Sequence, residues 1–222
     1  MKVLASLLLF FITSFAVAQE KPAPAAPPFW TDITNFKKQD AAKAPQQQAI
    51  LFVGSSSFTR WRDVQSYFPN HTIINRGFGG STLVDVIRYV YDVVLPYKPK
   101  QVVIYCGEND VASGGPDANE VVHRFKTLYG MIRENLPDAT IDFVSLKPSP
   151  SRTKHMAAMI EVNKQIKAFL EKQKNAHFIN IFDAMLDANG QPRPELFVED
   201  MLHMKPEGYA IWQKIMEPYL VK

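Results

Sequence analysis

The stretch Ile50–Phe58, ILFVGSSSF, decides how the rest of the chain is interpreted, because an apolar run ends at a glycine and three serines follow. Such a run is typical of a short strand buried in a sheet. Gly54 permits a tight turn, and a helix starting near Phe58 would present a serine beside backbone N–H groups that can stabilise an oxyanion. The same pattern also fits a serine that only caps the helix. The stretch alone therefore leaves open whether one serine is a nucleophile.

Similar apolar runs recur along the chain, each short and bounded by Gly, Pro or polar residues, at Thr72–Ile74, Val102–Tyr105, Ile141–Leu146 and Phe178–Ile181. The segments between them carry apolar residues at helical spacing. Alternating strands and helices predict an α/β fold with about five parallel strands and helices on both faces of the sheet. Binding sites in such sheets form at the carboxyl ends of the strands, so the polar residues after each strand are the candidates.

The N-terminus predicts export. Lys2 precedes an apolar segment, and Ala16–Ala18 reads small-x-small, which is typical of a signal peptide spanning residues 1–18 and cleaved before Gln19. A buried helix or an uncleaved anchor are the alternatives. Residues 19–30 are rich in Pro and Ala and predict an extended tether. We expect one domain over residues 31–222, in a secreted or periplasmic protein without stable membrane association after cleavage.

The composition excludes several classes of function. A net charge of +3 over 222 residues is too weak to suggest a nucleic-acid partner. The chain has one cysteine, Cys106, at the end of an apolar run, so it has no internal disulfide and we expect a buried thiol. No H-E-x-x-H motif or cysteine cluster is present, and we predict no metal or cofactor. The sequence does not determine the oligomeric state.

Glycines and an asparagine follow the second and third predicted strands. Asn75–Gly80, NRGFGG, has three glycines that let backbone N–H groups approach a ligand, although a flexible connection is the alternative. Gly107–Asp110, GEND, places Asn109 where its side-chain N–H groups could bind a developing negative oxygen, although an Asx turn is the alternative. Each motif is weak when taken alone.

A carboxylate and an imidazole stand three residues apart near the C-terminus, at Asp200 and His203. This spacing puts them on one side of a turn, where the carboxylate can hold one ring nitrogen and support the imidazolium. A chance D-x-x-H is the alternative. Together with a serine and two sets of N–H donors, these residues would make an acyl-transfer site.

These four blocks in order resemble the SGNH hydrolases, the GDSL-type esterase/lipase family. Gly54-Ser55-Ser56 stands where the family has Gly-Asp-Ser, so Ser55 replaces the family aspartate. The segments KPKQVVIYCGEND and DMLHMKPEGYAIW are similar in sequence to the branch of this family that contains the platelet-activating-factor acetylhydrolase catalytic subunits and secreted bacterial relatives. The resemblance implies a three-layer, flavodoxin-like α/β/α fold. It also implies a catalytic triad and an oxyanion hole, and it assigns Ser56, His203 and Asp200 to the triad and the Ser56 and Gly80 N–H groups and the Asn109 side chain to the hole.

We therefore predict a serine esterase acting on short acyl esters, with an acetylated carbohydrate or another small acylated molecule as substrate and no cofactor. A catalytically silent carbohydrate-binding or scaffold protein and an acyltransferase are the alternatives. Two groups of side chains could contact the substrate. The alternative for the aromatic residues is packing in the core, and they are Trp61, Tyr67 and Phe78. The alternative for the basic residues is a solvated surface position, and they are Arg60, Arg76, Lys147 and Arg152.

Overall fold

A computed structural model describes residues 25–222 of the chain. The predicted signal peptide, residues 1–18, and the first part of the predicted tether lie outside the described residues. Five strands form one sheet: β1 (Ile50–Gly54), β2 (Ile73–Gly77), β3 (Gln101–Tyr105), β4 (Thr140–Val144) and β5 (Ala176–Ile179).

All strand pairs are parallel, in the order β2-β1-β3-β4-β5. Because β1 lies between β2 and β3, the chain reverses its direction of winding there, and in sheets of this kind ligands bind at the carboxyl ends of the strands on either side of such a reversal. Gly54 at the end of β1 pairs with Gly77 of β2 and with Tyr105 of β3. The ends of these three strands therefore lie side by side, and the loops that follow them meet.

Helices cover both faces of the sheet. Within residues 25–222 they are α1 (Trp30–Ala42), α2 (Ser56–Arg60), α3 (Val64–Tyr67), α4 (Leu83–Arg88), α5 (Val90–Val93), α6 (Glu108–Ala112), α7 (Ala118–Asn135), α8 (Met156–Leu170) and α9 (Pro206–Met216). In this part of the chain no helix combines the length and the apolar character that crossing a bilayer needs.

Each face of the sheet has its own apolar core. Along β1, Leu51 and Val53 pack with helices α1, α4, α5, α7 and α8, whereas Ile50 and Phe52 pack with α2, α3 and α9. This alternation is the two-residue period of a strand that is buried on both faces. The predicted three-layer α/β/α fold with five parallel strands is confirmed, and Cys106 is buried as expected.

Helix α1 was not among the predicted elements. It begins at Trp30, next to the predicted domain start at residue 31, and carries only a few apolar residues, so the sequence shows little periodicity there. Just before it, Phe29 packs edge-on against Phe78, with ring centroids 5.3 Å apart. The Pro28 carbonyl accepts a 2.6 Å hydrogen bond from the Tyr89 hydroxyl. These contacts attach the N-terminal helix beside the loop that follows β2.

Candidate active site

The turn after β1 depends on Gly54. Its φ of 139° is a conformation that favours glycine, and a Cβ at this position would lie 2.0 Å from the carbonyl oxygen of Tyr105. The same carbonyl accepts a 2.9 Å hydrogen bond from the Ser55 N–H, which turns the chain into α2. Ser56 is the first residue of that helix, where a backbone N–H has no acceptor within the helix.

Three side chains from distant parts of the sequence form a hydrogen-bonded chain. Ser56 Oγ lies 3.0 Å from His203 Nε2, and His203 Nδ1 lies 2.6 Å from Asp200 Oδ2. In this arrangement a neutral imidazole donates its Nδ1–H to the carboxylate and accepts the serine hydroxyl at Nε2. A serine held this way can pass its proton to the ring as it attacks a carbonyl carbon.

A tight turn before α9 holds the acid and the imidazole. Asp200 Oδ1 accepts hydrogen bonds from the N–H groups of Leu202 and His203, each at 2.9 Å, and the Val198 N–H closes the turn onto the His203 carbonyl at 2.9 Å. Burial acts to raise the pKa of Asp200, but the hydrogen bonds from the His203 ring and the two N–H groups outweigh it and hold the pKa well below its usual range. The side chain of Asp200 is 42% exposed, so water weakens each of these effects.

The Asn109 side chain, at the start of α6 after β3, lies next to the serines. Its Nδ2 donates to Ser55 Oγ at 2.8 Å and to the Ser81 carbonyl at 3.0 Å, and its Oδ1 accepts from Arg152 Nη2 at 3.1 Å. The amide is therefore held at both ends. Its N–H groups face the loops that follow β1 and β2, where Ser56 stands.

The glycine loop after β2 completes the neighbourhood. Gly80 has a φ of 87°, and a Cβ at Gly79 would lie 4.0 Å from the Cβ of Ser56, so this backbone passes close to the serine. Ser81 ties the loop to the β1 turn through a 3.2 Å hydrogen bond from its hydroxyl to the Gly54 carbonyl. The structure thus joins Ser56, His203 and Asp200 by hydrogen bonds, places Asn109 against the neighbouring Ser55, and puts Gly80 in the loop that passes beside Ser56.

The geometry also separates the three serines. Ser56 faces the imidazole, whereas Ser55 is 4% exposed and accepts the hydrogen bond from Asn109. Ser57 is 1% exposed, and its carbonyl accepts a 2.8 Å hydrogen bond from Tyr209 of α9. Ser55 occupies the N-cap position of α2, but no side-chain capping hydrogen bond forms there. The alternative that one of these serines caps α2 through its hydroxyl is therefore wrong.

The aromatic candidates belong to the core. Trp61 and Phe78 are fully buried, and Tyr67 packs against the edge of Trp61 with ring centroids 5.2 Å apart. Of the basic candidates, Arg60 is exposed. The alternative that these cations are solvated is wrong for Arg76 and Lys147, which are buried and paired with acids.

Arg76 and Lys147 each belong to a buried polar network. Arg76 contacts the Asp40 carboxylate and donates a 2.6 Å hydrogen bond from Nε to the Tyr97 hydroxyl. Lys147 Nζ lies 2.6 Å from Glu108 Oε2 and is 1% exposed. The Arg76 guanidinium and the Lys147 ammonium are therefore not exposed where a substrate could bind them.

Sequence reasoning missed the Glu108 network beneath the site. Glu108 is the first residue of α6, and its carboxylate also accepts hydrogen bonds from the hydroxyls of Tyr105 and Ser149. Burial acts to raise the pKa of Glu108, but the neighbouring ammonium of Lys147 and the hydrogen bond from Tyr105 hold it below its ordinary value. The only signal in the sequence was that Glu108 and Lys147 each follow a predicted strand.

Asn75 is a second residue whose role was not predicted. Its Nδ2 donates to the Phe58 carbonyl at 2.7 Å, and its Oδ1 accepts from the Gly77 N–H at 2.9 Å. This side chain therefore fastens the end of α2 to β2, and it supports Ser56 from the far end of its helix.

The fold and these motifs define a hydrolase of the GDSL type. The model of the GDSL-like lipase/acylhydrolase family matches residues 45–211. The chain belongs to this family, and it is a carboxylic ester hydrolase by class. No curated protein matches the sequence.

Several solved structures share the fold. A Streptococcus pneumonia protein provisionally described as a platelet activating factor is 21% identical, with a TM-score of 0.75 over 86% of this chain and 92% of that one. A GDSL-like lipase from Bacteroides thetaiotaomicron is 22% identical, with a TM-score of 0.72 over 84% and 95% of the two chains. A catalytic mutant of an acetylxylan esterase from Geobacillus stearothermophilus is 17% identical, with a TM-score of 0.62 over 80% and 95%.

Proposed function

We propose that the protein is an exported serine esterase that hydrolyses short-chain acyl esters, most of all acetyl esters of carbohydrates. The observation that carries the proposal is the continuous chain from Ser56 through His203 to Asp200, with contacts of 3.0 and 2.6 Å, at the carboxyl edge of the sheet. Similarity in fold to an acetylxylan esterase supports the acetylated-carbohydrate substrate. The signal-peptide pattern in residues 1–18 supports export.

The reaction begins when His203 Nε2 takes the proton of Ser56 and Oγ attacks the ester carbonyl carbon. Asp200 keeps Nδ1 protonated and stabilises the imidazolium that forms. His203 then protonates the departing alcohol oxygen, which leaves an acyl group on Ser56. Water, deprotonated by the same imidazole, attacks that acyl group and releases the acid and the free serine.

Negative charge develops on the carbonyl oxygen in both steps. The N–H of Ser56, the N–H of Gly80 and the side-chain amide of Asn109 are the donors that would receive it. Because Asn109 Nδ2 already donates to Ser55 and Ser81, it exchanges one of these hydrogen bonds for the oxyanion. Such a donor typically contributes about 3–4 kcal/mol to the transition state.

The proposal is tested by measuring hydrolysis of p-nitrophenyl acetate with three proteins: the mature wild type, the Ser56→Ala variant and the Ser57→Ala variant. We expect Ser56→Ala to lose at least about a thousandfold in kcat, since the nucleophile is gone. Ser57→Ala is the matched control on the next residue and keeps activity within a few fold. A wild type no faster than Ser56→Ala would disprove the esterase, and an inactive Ser57→Ala beside an active Ser56→Ala would move the nucleophile to Ser57.

The acyl group and the alcohol are then compared in separate assays. We expect acetate to be released from acetylated xylo-oligosaccharides, and p-nitrophenyl acetate to be cleaved faster than the butyrate and hexanoate esters. Preference for the longer chains would point to a lipase. Appearance of acylated acceptor alcohol in place of free acid would point to an acyltransferase.

A further inference from the structure

Arg152 is a half-buried cation that the esterase mechanism does not use. It lies in the 3₁₀ turn Pro150–His155 that precedes α8. Among the residues that the structure describes, no carboxylate oxygen lies within 4.0 Å of its nitrogens. Its guanidinium donates instead to two oxygens at the start of α6, the Glu108 carbonyl at 3.2 Å and Asn109 Oδ1 at 3.1 Å.

These partners decide which end of the Asn109 amide faces the nucleophile. A guanidinium can only donate hydrogen bonds, and the Ser81 carbonyl can only accept them. Asn109 satisfies both by turning Oδ1 toward Arg152 and Nδ2 toward Ser81. The reversed amide would set its NH₂ against the guanidinium and its oxygen against the carbonyl. Without Arg152, the Ser81 carbonyl alone opposes that reversal, since the Ser55 hydroxyl can either donate or accept.

The same turn also holds the loop of the acid–base pair. The Ser151 N–H and hydroxyl both donate to the Met201 carbonyl, at 3.1 and 2.9 Å. Met201 lies between Asp200 and His203 and has a φ of 53°, which a methionine adopts only when its surroundings hold it there. Neighbouring residues of one turn thus contact the oxyanion side and the acid–base side of the site.

We propose that Arg152 is a positioning residue that fixes the Asn109 amide with its N–H groups toward the oxyanion. The inference rests on the proposed esterase function and adds a residue to it. Arg152 acts through Asn109, and it contacts neither the substrate nor the reacting atoms. Its loss lets the amide turn and places an oxygen acceptor where a donor is needed, which raises the barrier and leaves ground-state binding of a neutral ester unchanged.

Arg152→Gln removes the charge and the forked donor, and Lys154→Gln is the matched control on an exposed residue of the same turn. With p-nitrophenyl acetate we expect kcat of Arg152→Gln to fall by roughly 10- to 50-fold, with KM within about threefold. Lys154→Gln stays at the wild-type rate. Arg152→Lys recovers only part of the loss, because an ammonium cannot bind both oxygens in the same plane. Thermal unfolding of each variant verifies that it is folded.

A double-mutant cycle separates positioning from a direct role. In an Asn109→Ala background there is no amide to orient, so adding Arg152→Gln changes kcat by less than about twofold. The same fold loss in both backgrounds would overturn the proposal, and so would a rise in KM with unchanged kcat, which would make Arg152 a substrate contact. A wild type no faster than Ser56→Ala is a separate outcome that would remove the esterase itself.

Discussion

Ser55 is the one residue of the β1 motif that differs from the family pattern, and its hydroxyl contacts another candidate site residue. It stands where the family motif has an aspartate, and its hydroxyl accepts the 2.8 Å hydrogen bond from Asn109 Nδ2. A hydroxyl accepts this bond without placing a second negative charge beside the oxyanion. The contact is also weaker than one to a carboxylate, so Asn109 would lose less in the proposed reaction, where it turns its N–H to the substrate.

The contribution of Asp200 can be measured directly. Asp200→Asn keeps the shape of the side chain but removes the charge that supports the imidazolium, and its NH₂ group can favour the wrong tautomer of His203. We expect kcat for p-nitrophenyl acetate to fall by roughly 100- to 1,000-fold, less than for a fully buried triad aspartate because water reaches this carboxylate.

Glu199→Gln is the matched control, because Glu199 is an exposed acid next to Asp200. It removes the same charge one residue away, so we expect its rate to stay within about twofold of the wild type. Equal rates for Asp200→Asn and the wild type would exclude Asp200 from the triad.

At the scale of elements, apolar runs and their boundary residues were enough to predict the sheet. The run at Ile50–Val53 is buried on both faces, and its shortness and the glycine at its end indicated a strand. Boundaries were less certain: β2 was expected at Thr72–Ile74 and extends through Asn75 and Arg76 to Gly77. These polar residues remain in the strand because Asn75 and Arg76 find hydrogen-bond partners on other elements.

The candidate site also contains residues that the sequence could predict and one that it could not. Ser56, Asn109 and His203 could be proposed from the sequence because they follow strands or share a short motif. Arg152 could be listed only as one cation among several, since its partner Asn109 is 43 positions away. Long-range pairing of polar side chains leaves no local pattern, so it emerges only from the folded chain.

The β1–α2 turn makes a prediction about one element. Gly54→Ala adds a Cβ that would lie 2.0 Å from the Tyr105 carbonyl oxygen, in a backbone conformation that alanine rarely adopts. We expect a loss of about 3 kcal/mol or more in unfolding free energy, and a lower kcat because Ser56 moves with α2. Urea unfolding and the p-nitrophenyl acetate assay measure the two effects.

Gly130→Ala is the matched control in the long helix α7. A Cβ there meets nothing within 4 Å, and alanine is the better helix former. We expect a gain of about 0.5–1 kcal/mol with unchanged activity. If Gly54→Ala were as stable as the wild type, the turn would not depend on glycine, and the placement of Ser56 would need another explanation.

At the scale of the whole molecule, the site is supported from both faces of the sheet. The turn that holds Asp200 and His203 lies before α9 on one face. Tyr209 of α9 holds α2 in place through a hydrogen bond to the Ser57 carbonyl. On the other face, Asp110 is fully buried and accepts hydrogen bonds from the Leu83 N–H and from Arg124 of α7, both at 2.9 Å. Helices on both faces thus hold the loops at the strand ends through hydrogen bonds.

The N-terminal helix is joined to this assembly by a cluster of three side chains, of which Arg76 and Tyr97 are buried and Asp40 is partly exposed. Asp40 of α1 contacts Arg76 of β2 and accepts a 2.6 Å hydrogen bond from the Tyr97 hydroxyl. Burial, followed by the hydrogen bond to Asp40, raises the pKa of Tyr97 to about 12, and Arg76 opposes this shift without cancelling it. The docking of α1 therefore depends on a tyrosine that stays protonated.

This cluster makes stability depend on alkaline pH. An unfolded tyrosine ionises near pH 10 while folded Tyr97 resists ionisation up to about 12, so its contribution is complete below pH 10 and is lost as pH rises from 10 to 12. Tyr97→Phe should be less stable than the wild type by about 1–3 kcal/mol at pH 8, a gap that narrows above pH 10. Urea unfolding at pH 8, 10 and 11 measures the gap, with Tyr91→Phe, at a tyrosine that is 62% exposed, as the control with a gap near zero. A gap that stays constant to pH 11 would show that Tyr97 does not couple the folding of this domain to protons.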